Sequence, residues 1–293
     1  MVFEVLRGYR ARFGTRMEEE RIILVTGASS GIGAYCARRL AREGWRVMAT
    51  ARRPQDISAL CRDGLEGFHL DYRDPSSIEK LVADVLERTG GRLDALYNNG
   101  GYALAGAVED VPVEALRDQF EANVFGWHDL TRRIVPVMRA EGRGRIVNCS
   151  SILGLVPRRY RGAYCASKYA LEGLMLSLRA DLAGSGIHVS LIEPGPIESK
   201  IALNGLPSFQ NHIDIENSVH RDAYRAQIER LRAGKGRSRL KRGPETVYRA
   251  LRHALESRRP KPHYPVTLPA KAGLLLKRIL PSALFYRMVA GQG

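Results

Sequence analysis

Cysteine is scarce in this sequence: 293 residues hold four, with no pair at CxxC spacing. That excludes a disulfide scaffold, and Cys36, Cys61, Cys149 and Cys165 read as reduced thiols of a cytoplasmic protein. Long apolar runs are missing as well. Runs such as 22–25 and 274–276 fall far short of the roughly 20 residues that a membrane helix needs. Residues 1–20 scatter Arg7, Arg10, Arg12 and Arg16 among Val2, Phe3, Val5 and Leu6, which leaves no secretory h-region. They read as an N-terminal extension, with Met17 the favoured functional start. Acidic residues are outnumbered, 31 against 46 basic ones, for a formal charge of +15. Such an excess asks for an anionic partner or a basic surface. The basic residues spread over helices and loops without interleaved aromatics or a recognisable module, so no nucleic acid is expected. The remaining composition, 44% hydrophobic and 26% charged, is that of a globular protein with ample length for a core.

What the sequence does have is strict alternation of strand and helix. Short β-branched or apolar runs at 22–25, 46–50, 68–70, 95–98, 145–149 and 187–192 read as strands. Amphipathic stretches beginning at Ile32, Ile78, Val113 and Tyr164 read as helices, the third a single long one over 113–140 despite Pro136. This pattern predicts an α/β fold, a parallel sheet with helices on both faces. No linker or internal repeat divides the chain, so residues 21–293 are expected to form one domain, with an insertion and tail after Pro196.

Strand 22–25 runs into Thr26-Gly27-Ala28-Ser29-Ser30-Gly31-Ile32-Gly33, a tight glycine turn that opens a helix. Glycines let a backbone approach a pyrophosphate, and the helix amides and dipole favour its charge. The spacing is G-x-x-x-G-x-G, not G-x-G-x-x-G, and glycine turns also serve plain packing. An NAD site places an acid after the second strand to meet the ribose 2′-hydroxyl. Here that position reads Thr50-Ala51-Arg52-Arg53, with no acid. Arg52, with Arg53 as a second candidate, suits a 2′-phosphate and points to NADP over NAD.

Tyr164 and Lys168 stand four apart on a predicted helix and share a face. YxxxK is also the spacing of an ordinary surface pair. A lysine beside a phenol is expected to lower its pKa from about 10 toward neutrality, fitting it to pass a proton at a carbonyl or alcohol oxygen.

Taken in order, Thr26-Gly27-x-x-x-Gly31-Ile32-Gly33, Asn98-Asn99-Gly100-Gly101, Ser151 and Tyr164-Cys165-Ala166-Ser167-Lys168 resemble the short-chain dehydrogenases/reductases over roughly residues 20–200. The run from Tyr164 to Leu174 is similar to the branch containing 17β-hydroxysteroid and retinol dehydrogenases. The resemblance implies a single-domain Rossmann fold, a doubly wound sheet of about seven strands, with a substrate lid at about 197–243 and a tail at about 267–293. It also assigns roles. Tyr164 is the general acid or base, Lys168 lowers its pKa and holds the nicotinamide ribose, and Ser151 polarises the substrate oxygen. Asn123 holds a relay water. Ser29, Ser30 and Ile32 line the glycine turn, Asp71 meets the adenine, and Asn98 lies near the adenosine ribose. Pro194, Gly195 and Ile197 stand beside the nicotinamide, and Ser199 takes a place where many relatives have Thr. Gly100 replaces the alanine of the usual NNAG, a change expected to alter packing, not chemistry.

The expected function is NADP(H)-dependent interconversion of a carbonyl and an alcohol by hydride transfer, with no metal. Its substrate is expected to be lipophilic: steroid-, retinoid- or fatty aldehyde-like. The rival is an NADP(H)-binding redox sensor with little turnover. Relatives pair their long helices, so a homodimer or tetramer is expected. An apolar stripe over 274–288 reads as core or lid packing, with contact to an anionic membrane surface as the less favoured alternative. Arg158, Arg159 and Arg161 lie between Ser151 and Tyr164, either as a solvated basic loop or as a site for an acidic head group.

Overall fold

A computed structural model describes residues 20–198, 201–233 and 241–291. The apolar run beginning at Ile22 forms β1 (Arg21–Val25), whose last four residues are buried. Around it lie β2 (Trp45–Ala51), β3 (Glu66–His69), β4 (Ala95–Asn98), β5 (Gly144–Cys149), β6 (Ile187–Pro194) and β7 (His263–Val266). They form one seven-stranded sheet in the order β3-β2-β1-β4-β5-β6-β7. Every pairing in it is parallel. Both faces are covered, which is why the central strands are continuous apolar runs: Ile23, Leu24, Val25, Leu96 and Tyr97 are fully buried.

The connecting helices are α1 (Gly31–Arg42), α2 (Pro54–Arg62), α3 (Pro75–Thr89), α4 (Val113–Phe120), α5 (Gly126–Ala140) and α6 (Gly162–Asp181). Chain order departs from β1 in both directions, toward β2 on one side and β4 on the other. A crevice opens at the carboxyl ends of strands where order reverses in this way.

The expected single helix over 113–140 differs in one respect. Between α4 and α5 the chain makes a wide π turn, Glu121–Phe125, which adds a residue to the helical path. Asn123 sits in that turn. Its side chain leaves the helix to bond the backbone of Tyr102 through both the carbonyl and the amide nitrogen, at 3.0 and 3.3 Å.

Beyond β6 come α7 (Ile201–Asn204), α8 (Leu206–His212) and α9 (Arg221–Arg232). These close a second, smaller core in which Phe209, Ile213 and Tyr224 pack with Leu104 and Ala163. Helix α10 (Glu245–Glu256) buries Val247 and Leu251 in the main core before β7. The tail forms α11 (Leu268–Ile279) and α12 (Ser282–Ala290). Its apolar stripe divides: Phe285 is buried, while Leu275, Ile279 and Leu284 are at least half exposed in the single chain. None of the described helices is long and apolar enough to cross a membrane.

Candidate active site

The glycine turn lies at the crevice, between β1 and α1. Gly27 and Gly31 adopt φ of +63° and +58°, a left-handed backbone that side chains disfavour. At Gly33 the constraint is proximity, since a Cβ there would lie 2.3 Å from the Gly27 carbonyl oxygen. Ser30 caps α1 without a side-chain hydrogen bond, and no acid stands in the first helical turn. The first amides of α1 therefore lack an intramolecular anion, so the turn fits a phosphate group.

Two residues not singled out from the sequence hold this turn in place. The Asn99 amide nitrogen donates to the carbonyls of Thr26 and Gly27 at 3.2 and 3.3 Å, and the Thr26 hydroxyl accepts from the Asn99 backbone amide at 2.8 Å. Their signal was present, since both belong to motifs already recognised.

A cavity of about 430 Å³ runs from the turn to the first turn of α6. Around it the structure gathers most of the expected site: Gly27, Ser29, Ser30, Gly31, Ile32, Arg52, Asp71, Gly100, Asn123, Ser151, Tyr164, Lys168, Pro194, Gly195 and Ile197. Three expected residues stand elsewhere. Gly33 is packed behind the turn. Asn98 is fully buried beneath the sheet end, where it donates to Thr131 and Asn148 and accepts from the Tyr72 hydroxyl. Arg53 turns away to fork Asp56 at 2.7 and 3.3 Å, one turn into α2, because that carboxylate is its nearest local partner. Ser199 lies outside the described residues.

Arg52 faces the cavity and makes no hydrogen bond or ion pair among the described residues. Asp71 is paired with Arg73 at 2.9 Å. Burial would raise its carboxyl, but the Arg73 guanidinium and amide, with Arg52 nearby, outweigh that and hold it low. The cavity thus joins a helix start that receives no side-chain cap bond to a guanidinium without an ion pair among the described residues, a donor set suited to a dinucleotide phosphate.

At the other end, α6 presents Tyr164 and Lys168 from one face, both buried. The Lys168 ammonium donates to the Cys149 carbonyl at 2.9 Å and lies 4.3 Å from the Trp127 ring centre and 5.9 Å from that of Tyr164. The Ser151 hydroxyl oxygen accepts from the Leu153 amide at 3.1 Å. Asn123 Nδ2 also reaches Ser167 Oγ, at 3.3 Å, so the π turn is tied to α6.

The expected depression of the phenol is reversed. Burial raises the Tyr164 pKa well above its ordinary value, and Ser151 offsets only part of that rise. Desolvation wins because the phenolate loses water while the lysine's hydrogen bond goes to Cys149. Burial likewise brings Lys168 down to about 8, against the opposing pull of Cys149 and Glu172.

Behind the lysine lies a cluster with no sequence signature. Glu172 follows it by one turn of α6, Glu193 is the last residue but one of β6, and His263 starts β7; their ligating atoms lie within 4.8 Å of one another. His263 Nδ1 is 2.7 Å from Glu193 and 3.7 Å from Glu172. Burial and the neighbouring Glu193 push the Glu172 carboxyl up to about 7.

Residues 21–205 match the family described as short chain dehydrogenase. The chain belongs to that family. A short-chain dehydrogenase from Streptomyces avermitilis superimposes with a TM-score of 0.74 at 31% identity, over 93% of this chain and 98% of that one. An actinorhodin polyketide ketoreductase, in a structure with NADPH, does so with 0.69 at 30%, over 89% and 99%. In sequence, the uncharacterized oxidoreductase YbbO of Escherichia coli is 38% identical over 272 residues, 93% of this chain and 95% of that protein. As a short-chain dehydrogenase, this protein is an oxidoreductase of alcohol and carbonyl groups that uses a nicotinamide dinucleotide.

Proposed function

We propose that this short-chain dehydrogenase is an NADP(H)-dependent reductase of carbonyl groups on lipophilic small molecules, of the 17β-hydroxysteroid and retinol dehydrogenase-like branch. One observation carries the reading. Tyr164, Lys168, Ser151 and Asn123 converge on the same cavity as the glycine turn and the unpaired Arg52. In that arrangement Gly27, Gly31 and the start of α1 receive the pyrophosphate, and Arg52 receives a 2′-phosphate. The bound nicotinamide supplies the hydride.

The protein's own groups handle the proton. Tyr164 is held protonated by its raised pKa, the state needed to donate to a carbonyl oxygen as negative charge develops there. Ser151 donates a hydrogen bond to the same oxygen. Lys168, when charged, stabilises the phenolate left behind. Asn123 anchors the Tyr102 backbone and so fixes the wall opposite α6. The kinship with a ketoreductase structure holding NADPH supports both the cofactor and the direction.

The test is a panel of steroids, retinal and medium-chain aldehydes with NADPH and with NADH, run on wild type and Tyr164→Phe. Reduction with NADPH is expected, falling at least about a hundredfold in the variant. Near-normal turnover by Tyr164→Phe overturns the assignment, and NADPH binding without turnover across the panel would favour a redox sensor.

A further inference from the structure

Three arginines precede α6, and the structure separates them. Arg159 lies over the ring of Tyr160, 4.8 Å from its centre, away from the chemistry. Arg158 and Arg161 instead line the cavity that holds Tyr164. Arg161 is the residue before α6, three positions ahead of Tyr164, and both line the same cavity. Its guanidinium makes no hydrogen bond or ion pair among the described residues.

The aim of Arg161 is built into the backbone. Tyr160 adopts φ of +60°, a conformation costly for an aromatic residue. Its ring is held edge-on by His220 and Tyr224 at 5.3 and 5.7 Å, and its carbonyl accepts from the Gly106 amide at 3.1 Å. Anchoring Tyr160 in the second core turns the next residue, Arg161, toward the cavity. Burial, reinforced by repulsion from Arg158, lowers the Arg161 pKa, as expected of a cation whose counter-charge is not supplied by the fold.

We propose that Arg161, with Arg158, forms a subsite for an oxyanion on the substrate, so that the preferred substrates are carbonyl compounds carrying a carboxylate or phosphate. This rests on the carbonyl-reductase reading and names its substrate class. Two guanidinium forks on the cavity that holds the reacting phenol offer donors for an oxyanion, which a neutral aldehyde leaves unused.

The test uses ω-oxo carboxylates of increasing chain length and the matching phosphate monoesters, each acid paired with its methyl ester, under saturating NADPH. For the best chain length, kcat/KM of the acid is expected to exceed that of the ester by about tenfold or more, the scale of a charged hydrogen bond. The ratio should fall toward one in Arg161→Gln and partly recover in Arg161→Lys. The phosphate arm decides which oxyanion the subsite prefers. An acid-to-ester ratio near one at every length in wild type overturns the subsite. So does an Arg161→Gln variant that keeps the ratio but loses NADPH affinity, which would assign the arginine to the cofactor. If wild type reduces neither acid nor ester, the reductase reading fails, yet calorimetric titration of wild type with dicarboxylates against their diamides still decides the subsite. Binding of the dianions about tenfold tighter supports it, and equal binding overturns it.

Discussion

Replacing Glu172 by Gln should make the protein more stable in alkaline solution and flatten its dependence on pH. Glu172 is 4% exposed, and neither carboxylate oxygen has a hydrogen bond among the described residues. Burial and Glu193 move its carboxyl from an ordinary 4.5 up to about 7. Between those values the folded protein keeps a proton that the unfolded chain has released, so stability declines as pH rises through this window. At about 1.4 kcal/mol per tenfold change in acidity, the ionised carboxylate costs about 3 kcal/mol, with the opposing pull of His263 and Lys168 already included. Its two partners act in the same direction. Glu193 is also raised by burial, and His263 is raised by its bond to Glu193. The stability from His263 is complete below its unfolded value and lost as pH climbs through the higher folded one. Urea unfolding from about pH 5 to about pH 8.5 measures the difference between wild type and Glu172→Gln, so that titrations elsewhere cancel. The two should differ little at the acid end and diverge by about 1–3 kcal/mol in favour of the variant at the alkaline end. Parallel curves, or a variant weakened equally at both ends, would refute the claim that a buried charge is responsible.

Other substitutions probe the rest of the site. Gly33→Ala places a methyl 2.3 Å from the Gly27 carbonyl and 2.5 Å from Asn99 Nδ2. It should cost about 1–3 kcal/mol in thermal unfolding and weaken dinucleotide binding by calorimetry. Gly173→Ala lies mid-helix with nothing within 4 Å of the added methyl, and should stabilise by about 0.5–1 kcal/mol in the same melt. Arg52→Ala should raise KM for NADPH about tenfold or more while leaving KM for NADH nearly unchanged; equal effects on both would remove the 2′-phosphate assignment. Asn123→Ala removes bonds to both backbone groups of Tyr102 and to Ser167, and should lower stability by about 1–3 kcal/mol in denaturant titrations.

The legible parts of this protein were those written in consecutive residues. The glycine turn and the Tyr164–Lys168 pair are local: their spacing fixes their geometry once strand and helix form. The strands were legible because a sheet covered on both faces demands unbroken apolar runs, although their ends shifted by a residue or two. Asn98 was harder. A motif of adjacent asparagines does not say which one faces the crevice, and Asn98, the last residue of β4, points under the sheet while Asn99 holds the turn. The Tyr164 pKa ran opposite to expectation because sequence shows the neighbouring lysine and hides the burial. The Glu172–Glu193–His263 cluster was invisible, since three separate elements meet only in the folded chain.

The position of β7 bears on the order in which a growing chain becomes competent. The strand at His263–Val266 supplies the carbonyl that accepts from the Gly195 amide at 3.0 Å, and the imidazole that meets Glu193. Synthesis therefore releases the glycine turn, the tyrosine and the lysine long before the strand that secures the opposite wall leaves the ribosome. A product interrupted between Pro196 and His263 would carry every motif by which the family is recognised. It would still lack the partner of its most deeply buried carboxylate and leave the backbone beside the cavity unpaired.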